Sequence, residues 1–309
     1  SSLLVEPERT NLITYSSDFS QWTEVGSPTL TPDYGLSPDG TENSTRVQLN
    51  TNDRIASIFS ASGDITFSVY LKGSGVITLR DNTNVYRQDV TLTSEWARYD
   101  LYFNATITSV QVQNQTASAV DCELWGAQCE VGSYPTSYIP TNGEAGGVTR
   151  NQDIFTRDGI GSLINSTEGV LFLEMAALSN DGTIRSITLS DGTNSNRVYI
   201  GFESFQRIQF NIKSSTSTIF NYYEVVSDIT VNSKLAIKYK SSDFSVWLDG
   251  IEIANQTSGA VPINLNKLSF DDGNGSSIFF GKVKQLQVYD TALTDNQLIQ
   301  LTGEAGTHF

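Results

Sequence analysis

The sequence predicts an all-β protein built as two tandem antiparallel β-sandwiches and closed by one short C-terminal helix. Three observations carry that expectation. Apolar and polar residues alternate along short runs: Ile65, Phe67, Val69 and Leu71 interleave with Thr66, Ser68 and Tyr70, and Ile208, Phe210 and Ile212 with Gln209 and Asn211. A period of two marks strands with one buried face. Turn-forming clusters separate the runs, as at Ser179-Asn180-Asp181-Gly182, Ser190-Asp191-Gly192 and Asp271-Asp272-Gly273-Asn274-Gly275; many short strands between such turns mean sandwiches. Finally, 309 residues are long for one core and comfortable for two. The strand-like stretch that starts at Cys122 runs into Gly132, Pro135 and Pro140 and then loosens into Asn142-Gly143-Glu144-Ala145-Gly146-Gly147. That pattern reads as a last strand, a stiff exit and a flexible hinge. We place a first sandwich at residues 1–141, a linker at 142–147 and a second sandwich at 148–309.

In chain order, the first module's strand-like runs lie at 65–71, 76–79, 98–103 and 110–112, with its closing strand from 122 onward. The second opens with Glu168-Gly169-Val170-Leu171-Phe172-Leu173-Glu174 and continues at 197–201, 208–212, 235–239 and 245–248. Asp249-Gly250 then makes a hairpin turn into Ile251. A last strand at 282–289 precedes the helix, where Thr294 and Gln297 form a capping box, Leu298 and Leu301 supply the apolar face and Gly303 follows the final turn.

Composition narrows the function. Hydrophobic residues make up 38% and charged residues only 17%, while 13 Tyr, 15 Phe and 4 Trp favour strands. The net charge of −15, from 34 acidic and 19 basic residues without a basic cluster, argues against nucleic acid as a partner. No run has the length of a membrane span, so no membrane insertion is expected. Cys122 and Cys129, on one extended segment, would stand about 20 Å apart, too far for a disulfide; both read as packed small hydrophobes. The single histidine, His308, is penultimate, which excludes a Ser-His-Asp triad, a Cys-His pair and a multi-histidine zinc site. Paired carboxylates remain the one hydrolytic route. Glu203 and the Asp249/Glu252 pair lack the surroundings for it, so no enzyme activity is expected.

Particular motifs add a resemblance. RTNL at 9–12, YSSDFSQW at 15–22, SPDGT at 37–41, FSVYLKG at 67–73, EWARY at 95–99 and LWGAQCEVGSYPTSYIPT at 124–141 stand in the order found in a jelly-roll family. That family occurs in bacteriophage tail-fibre and other host-contact proteins and resembles carbohydrate-binding modules. The ending FGKVKQLQVYDTAL at 280–293 is similar to the last strand and trailing cap of laminin-G/concanavalin-A-like sandwiches. The resemblance implies a non-enzymatic virion protein, a tail fibre, receptor-binding tip or head decoration, that binds host surface polysaccharide or glycan. Its partners would be other virion proteins and copies of itself in a homo-oligomer. A purely structural virion spacer, and a secreted bacterial glycan-active enzyme or its accessory module, are the alternatives.

Candidate residues follow. Trp22, Trp96 and Trp125 adjoin strand patterns and read as core. Tyr70 and Tyr86 are candidate ligand-facing rings. Asp271, Asp272 and Asn274 form the densest acidic loop, followed by Asp181 and Asp191; these are candidate recognition loops, although Asp-Gly and Asn-Gly are also plain turn formers. Relatives of the jelly roll hold a structural calcium between first and last strands, and Asn11, Asp18 and Asp121 lie near those ends as candidate oxygen ligands.

Overall fold

A computed structural model describes residues 1–303, so His308 lies outside the described residues. Its strands are antiparallel throughout, and one helix, Asp295–Thr302, follows the last of them. The chain divides into two compact units, one of Glu8–Asn151 and one of Ser1–Pro7 with the chain from Gln152 onward.

In the Glu8–Asn151 unit, an eight-stranded sheet runs in the order Thr29–Thr31, Thr45–Leu49, Val120–Val131, Arg54–Ser74, Ala97–Gln113, Val76–Asp81 and Arg87–Thr91, with Thr23–Val25 added to Arg54–Ser74. Two strands are far longer than their sequence patterns suggest, at 21 and 17 residues. A register slip between Ile58 and Ala61 interrupts their pairing, which resumes on either side of it. Ile55, Phe67, Val69, Leu71, Leu79, Phe103, Val112 and Leu124 point into one core, each such side chain contributing about 1.5–3 kcal/mol of burial.

The 65–71 run is buried on both faces, because Thr66 and Ser68 are as inaccessible as Phe67. The segment 133–141 causes this by folding back over the sheet, so it is a strap and not an exit. The chain beyond it also stays with this unit. Gly143 N donates to Thr14 O, and Val148–Arg150 pairs with Arg9–Asn11. Gly147 takes φ +87, and a Cβ there would lie 2.0 Å from Asn11 O. Its glycine serves close strand pairing, not the looseness expected of a 142–147 linker. The opposite end differs as well: Leu3–Val5 pairs with Val283–Gly281, in the other unit.

That other unit is a two-sheet sandwich. One sheet orders Leu3–Val5, Gly281–Tyr289, Glu168–Ala177, Ser233–Lys240, Phe244–Leu248 and Ile251–Gln256. The second orders Thr156–Arg157, Lys267–Ser269, Arg185–Ser190, Arg197–Glu203, Arg207–Ser214 and Ser217–Val225. Leu171, Leu173, Ile237 and Val246 from the first meet Ile187, Ile200, Phe210 and Ile212 from the second. The helix forms where the capping box places it, with Thr294 as N-cap, and packs Leu298 against Phe172 and Trp247 on the outside of the first sheet.

Candidate functional site

Strand parity builds a groove on the outer face of the Glu8–Asn151 sheet. Cys122 and Leu124 point inward, so Asp121 and Glu123 point outward. Register sets Glu123 between Arg46 and Lys72, and Asp121 opposite Gln48. Arg46 Nε donates to Asp121 at 2.8 Å, with its Nη2 on the other carboxylate oxygen. Lys72 Nζ pairs with Glu123 at 3.1 Å, and Ser44 Oγ donates to the same carboxylate at 2.6 Å. The Arg46 hydrogen bond holds the Asp121 carboxyl below its usual range, against the upward push of burial.

Two aromatic rings flank the ion pairs. The Arg46 guanidinium lies 5.1 Å from the centre of Tyr34, a ring 49% exposed, and Lys72 Nζ lies 4.9 Å from that of Trp96. Trp96 Nε1 donates to Leu36 O at 2.9 Å. Trp96 is therefore half-buried beside a groove of about 410 Å³ lined by Tyr34, Arg46, Lys72, Ser94, Asp121 and Glu123, and is not a core residue. The groove offers two cations, two carboxylates and the Tyr34 ring, with Trp96 beside it against Lys72 and the charges balanced.

One wall is the loop 34–44, which Asp39 organises. Its carboxylate accepts from Ser37 Oγ at 2.7 Å, Thr41 N at 2.8 Å, Thr41 Oγ1 at 2.7 Å and Asn43 Nδ2 at 3.2 Å. These bonds, led by the Thr41 hydroxyl, lower its pKa to about 2. A depressed carboxylate stabilises the fold above its unfolded value of about 3.9 and loses that contribution as pH falls toward the folded one. Asp39→Asn is thus expected to flatten the acid limb of the unit's stability profile between about pH 4 and pH 2. Denaturant titrations across that range read the change; an acid limb as steep as that of the parent protein would refute the assignment.

The structure places the sequence-predicted residues elsewhere. Tyr70 is half-buried, edge-on to Trp125 with centroids 5.4 Å apart, and the Arg98 guanidinium lies 5.5 Å from its ring centre. Tyr86 stacks on Phe103 at 5.6 Å and donates its hydroxyl to Asn104 O. Each ring thus has a face already covered. Asp181 binds Arg185 Nη2 through both oxygens, at 2.6 and 2.7 Å. Asp191 accepts from Thr193 N and Oγ1 and from Asn196 Nδ2. In both, burial raises the carboxyl pKa and these bonds outweigh it, leaving a net lowering. Asp271 is buried and accepts from Ser269 Oγ and Gly273 N. Asp272 accepts from Asn274 N and Ser276 N. Local turn bonds engage these side chains, and the Asp271–Asn274 loop is a self-bonded strap over its own sheet: Arg197 Nη1 and Thr188 Oγ1 donate to its carbonyls.

The three calcium candidates do not meet. Asn11 Oδ1 accepts from Ile13 N at 3.1 Å and Cys129 N at 3.0 Å, leaving no lone pair for a cation. Asp18 caps the Phe19–Gln21 turn by accepting from Ser20. Asp121 belongs to the groove, at the opposite end of the Val120–Val131 strand from Cys129. Among the described residues no group of three His, Cys, Asp or Glu side chains could hold a metal ion, and the residues at these positions do not fit calcium. Both cysteines are free and buried, and burial pushes the Cys122 thiol up to about 12 and Cys129 upward too. No helix among the described residues is long and apolar enough to cross a membrane.

Tyr34, Arg46, Lys72 and Glu123 escaped sequence reading, and Trp96 reads there as core. The signal was present as polar residues alternating with apolar ones, Asp121-x-Glu123 on one strand and Arg46-x-Gln48 on another, but it becomes a site only when the strands are paired.

No protein-family model matches this chain, and no curated protein does. Several solved structures resemble parts of it. The carbohydrate-binding module CBM40 of a Ruminococcus gnavus IT-sialidase is 15% identical over 48% of this chain and 99% of its own, with a TM-score of 0.41. A heptameric SAP-like pentraxin from Limulus polyphemus is 12% identical over 45% of this chain and 70% of its own, at 0.35. Galectin-Ib of Xenopus laevis is 17% identical over 44% of this chain and 99% of its own, at 0.30.

Proposed function

We propose that this protein is a non-enzymatic glycan-binding protein and that its Glu8–Asn151 unit takes a neutral saccharide in the Tyr34–Trp96 groove. The observation that carries the reading is the pair of ion pairs set between two aromatic rings. Sugar hydroxyls donate to carboxylates and accept from guanidinium and ammonium groups, while a pyranose face packs on an aromatic ring. Because each cation already faces a carboxylate, an anionic ligand would have to displace Asp121 or Glu123. A neutral ring can bridge both pairs without doing so.

The same geometry weighs against hydrolysis. Asp121 and Glu123 share one strand face, as a carboxylate pair could. A general acid needs a carboxyl held protonated by a raised pKa, whereas Arg46 lowers that of Asp121. Glu203 is raised by burial, but the charges acting on it are those of Arg207 and Arg197 rather than a second carboxylate.

The setting we propose is the surface of a bacteriophage virion, as a tail fibre, receptor-binding or head-decoration component contacting host polysaccharide. The ordered motifs from RTNL to SYIPT support this reading. A homo-oligomer there would gain from several weak sites acting together. Isothermal titration with a panel of neutral oligosaccharides tests the binding. We expect one to bind, Trp96→Ala to weaken it about tenfold, or about 1.4 kcal/mol, and EDTA to leave it unchanged. Binding by no neutral sugar, or undiminished binding by the variant, would refute the groove assignment.

A further inference from the structure

A second aromatic-and-charged surface lies in the other unit, on the hairpin joining Arg197–Glu203 to Arg207–Ser214. Phe205 at its tip is 81% exposed and takes φ +63, with Gln206 next at φ +57. Left-handed backbone is a genuine outlier for a bulky aromatic residue. Outside contacts hold it: Gln206 O accepts from Val226 N at 3.0 Å, and the Gln206 amide turns its nitrogen to the carbonyls of Val226 and Ser227. The turn is fixed so that a large ring faces solvent.

Arg207 stands between Phe205 and Tyr223, its guanidinium 5.7 Å from one ring centre and 5.0 Å from the other. Its Nε donates to Ser204 O at 3.2 Å, and among the described residues no carboxylate pairs with it at ion-pair distance. The fork of terminal nitrogens thus lies between two rings with no carboxylate at ion-pair distance, Glu203 acting on it only from farther off, in a chain of net charge −15. Beside it, Gln209 Nε2 donates to Asn221 Oδ1 at 2.6 Å and to the Tyr223 hydroxyl at 2.9 Å, a row of amide and hydroxyl groups on the same face. Glu203, opposite Arg207 in register, is half-buried and receives the Tyr199 hydroxyl.

We propose that the Phe205–Arg207–Tyr223 platform binds an acidic sugar. Its carboxylate takes the Arg207 fork in a bidentate pair, its ring packs on Phe205, and its hydroxyls meet Gln209, Asn221 and Tyr223. The contrast with the first groove is chemical: there both cations are in direct ion pairs with carboxylates, whereas here Glu203 stands across the strand pair without forming one with the guanidinium. Ring-borne carboxylates come from uronic acids or from nonulosonic acids, and the two sources are separated by the probes.

The test titrates the full chain carrying Trp96→Ala, which weakens the neutral-sugar groove, with a galacturonate oligomer and with sialyllactose, using galactose oligomers and lactose as carboxylate-free controls. One acidic probe should bind while its neutral counterpart does not, and added salt should weaken binding. Arg207→Lys keeps the charge but loses the fork, and should cost about tenfold in affinity. Phe205→Gly gives a separate readout: it should raise the melting temperature by relieving the left-handed backbone while lowering affinity. Trp96→Ala should leave acidic-sugar binding intact, so failure of the neutral-sugar groove and failure of this platform are read independently. Equal binding of acidic and neutral probes, binding of neither acidic probe, or unchanged affinity in Arg207→Lys would overturn the proposal.

Discussion

Asn11→Asp is expected to lower the stability of the Glu8–Asn151 unit by about 3–5 kcal/mol, and added calcium is not expected to restore it. The Asn11 amide is fully buried and makes four hydrogen bonds to backbone: Nδ2 donates to Ala127 O at 3.1 Å and Ile139 O at 2.9 Å, and Oδ1 accepts from Ile13 N and Cys129 N. It therefore ties the first strand, the last strand and the strap together at one point. Aspartate has nearly the same shape but brings a carboxylate oxygen against two carbonyl oxygens and removes both donors. Leaving buried partners unmatched costs far more than a surface change. The sign also separates two roles for this position. A calcium ligand would gain from an added negative charge, so stabilisation by the variant in millimolar calcium would sink the clip assignment. Three of the four tryptophans, Trp22, Trp96 and Trp125, lie in this unit, so tryptophan fluorescence during urea unfolding reports mainly on it, with Trp247 the one probe of the other unit.

The contrast between Asn11 and the 65–71 strand shows what was legible in the sequence. Alternation at Ile65, Phe67, Val69 and Leu71 identifies the core face, because burial there follows from period two alone. The helix is equally legible, since Thr294 and Gln297 satisfy each other within one turn. Long-range pairing is not. Nothing near Thr66 and Ser68 announces that residues 133–141 will cover them. Nothing near Val148 shows that it pairs with Asn11 rather than opening the next module. The site failed to show for the same reason. Acidic loops such as Asp271–Asn274 stand out locally because local turns need them. A groove assembled from Tyr34, Arg46, Lys72, Trp96 and Glu123 draws on distant segments, each ordinary by itself.

Glu130→Ala is expected to destabilise the same unit by about 3–5 kcal/mol, as loss of one partner from a buried charged network does. Glu130 is inaccessible to solvent, and its carboxylate accepts from Thr136 N at 3.0 Å, Thr136 Oγ1 at 2.8 Å and the Gln128 amide. Arg9 Nε stands 3.6 Å from it, and the Arg9 guanidinium lies 5.5 Å from the centre of the Tyr134 ring. Gln128 in turn accepts from Ile139 N at 2.6 Å. The strap is thus held by polar side chains projecting from the last strand, not by its own secondary structure. Alanine leaves Thr136 N without its acceptor and the Arg9 charge without this counter-charge, and loosens the cover over Trp125, whose ring packs 4.5 Å from Tyr138. Glu130→Gln should cost less than alanine, because the amide oxygen keeps one acceptor for Thr136, even though its nitrogen then meets the Gln128 amide donor. Amide hydrogen exchange at Thr136 and Ile139 distinguishes local release of the strap from global unfolding. Protection at both positions equal to that of the parent protein would refute the role assigned to Glu130. The groove residues lie farther along the same strand, so neutral-sugar affinity at temperatures below unfolding should change much less than strap protection.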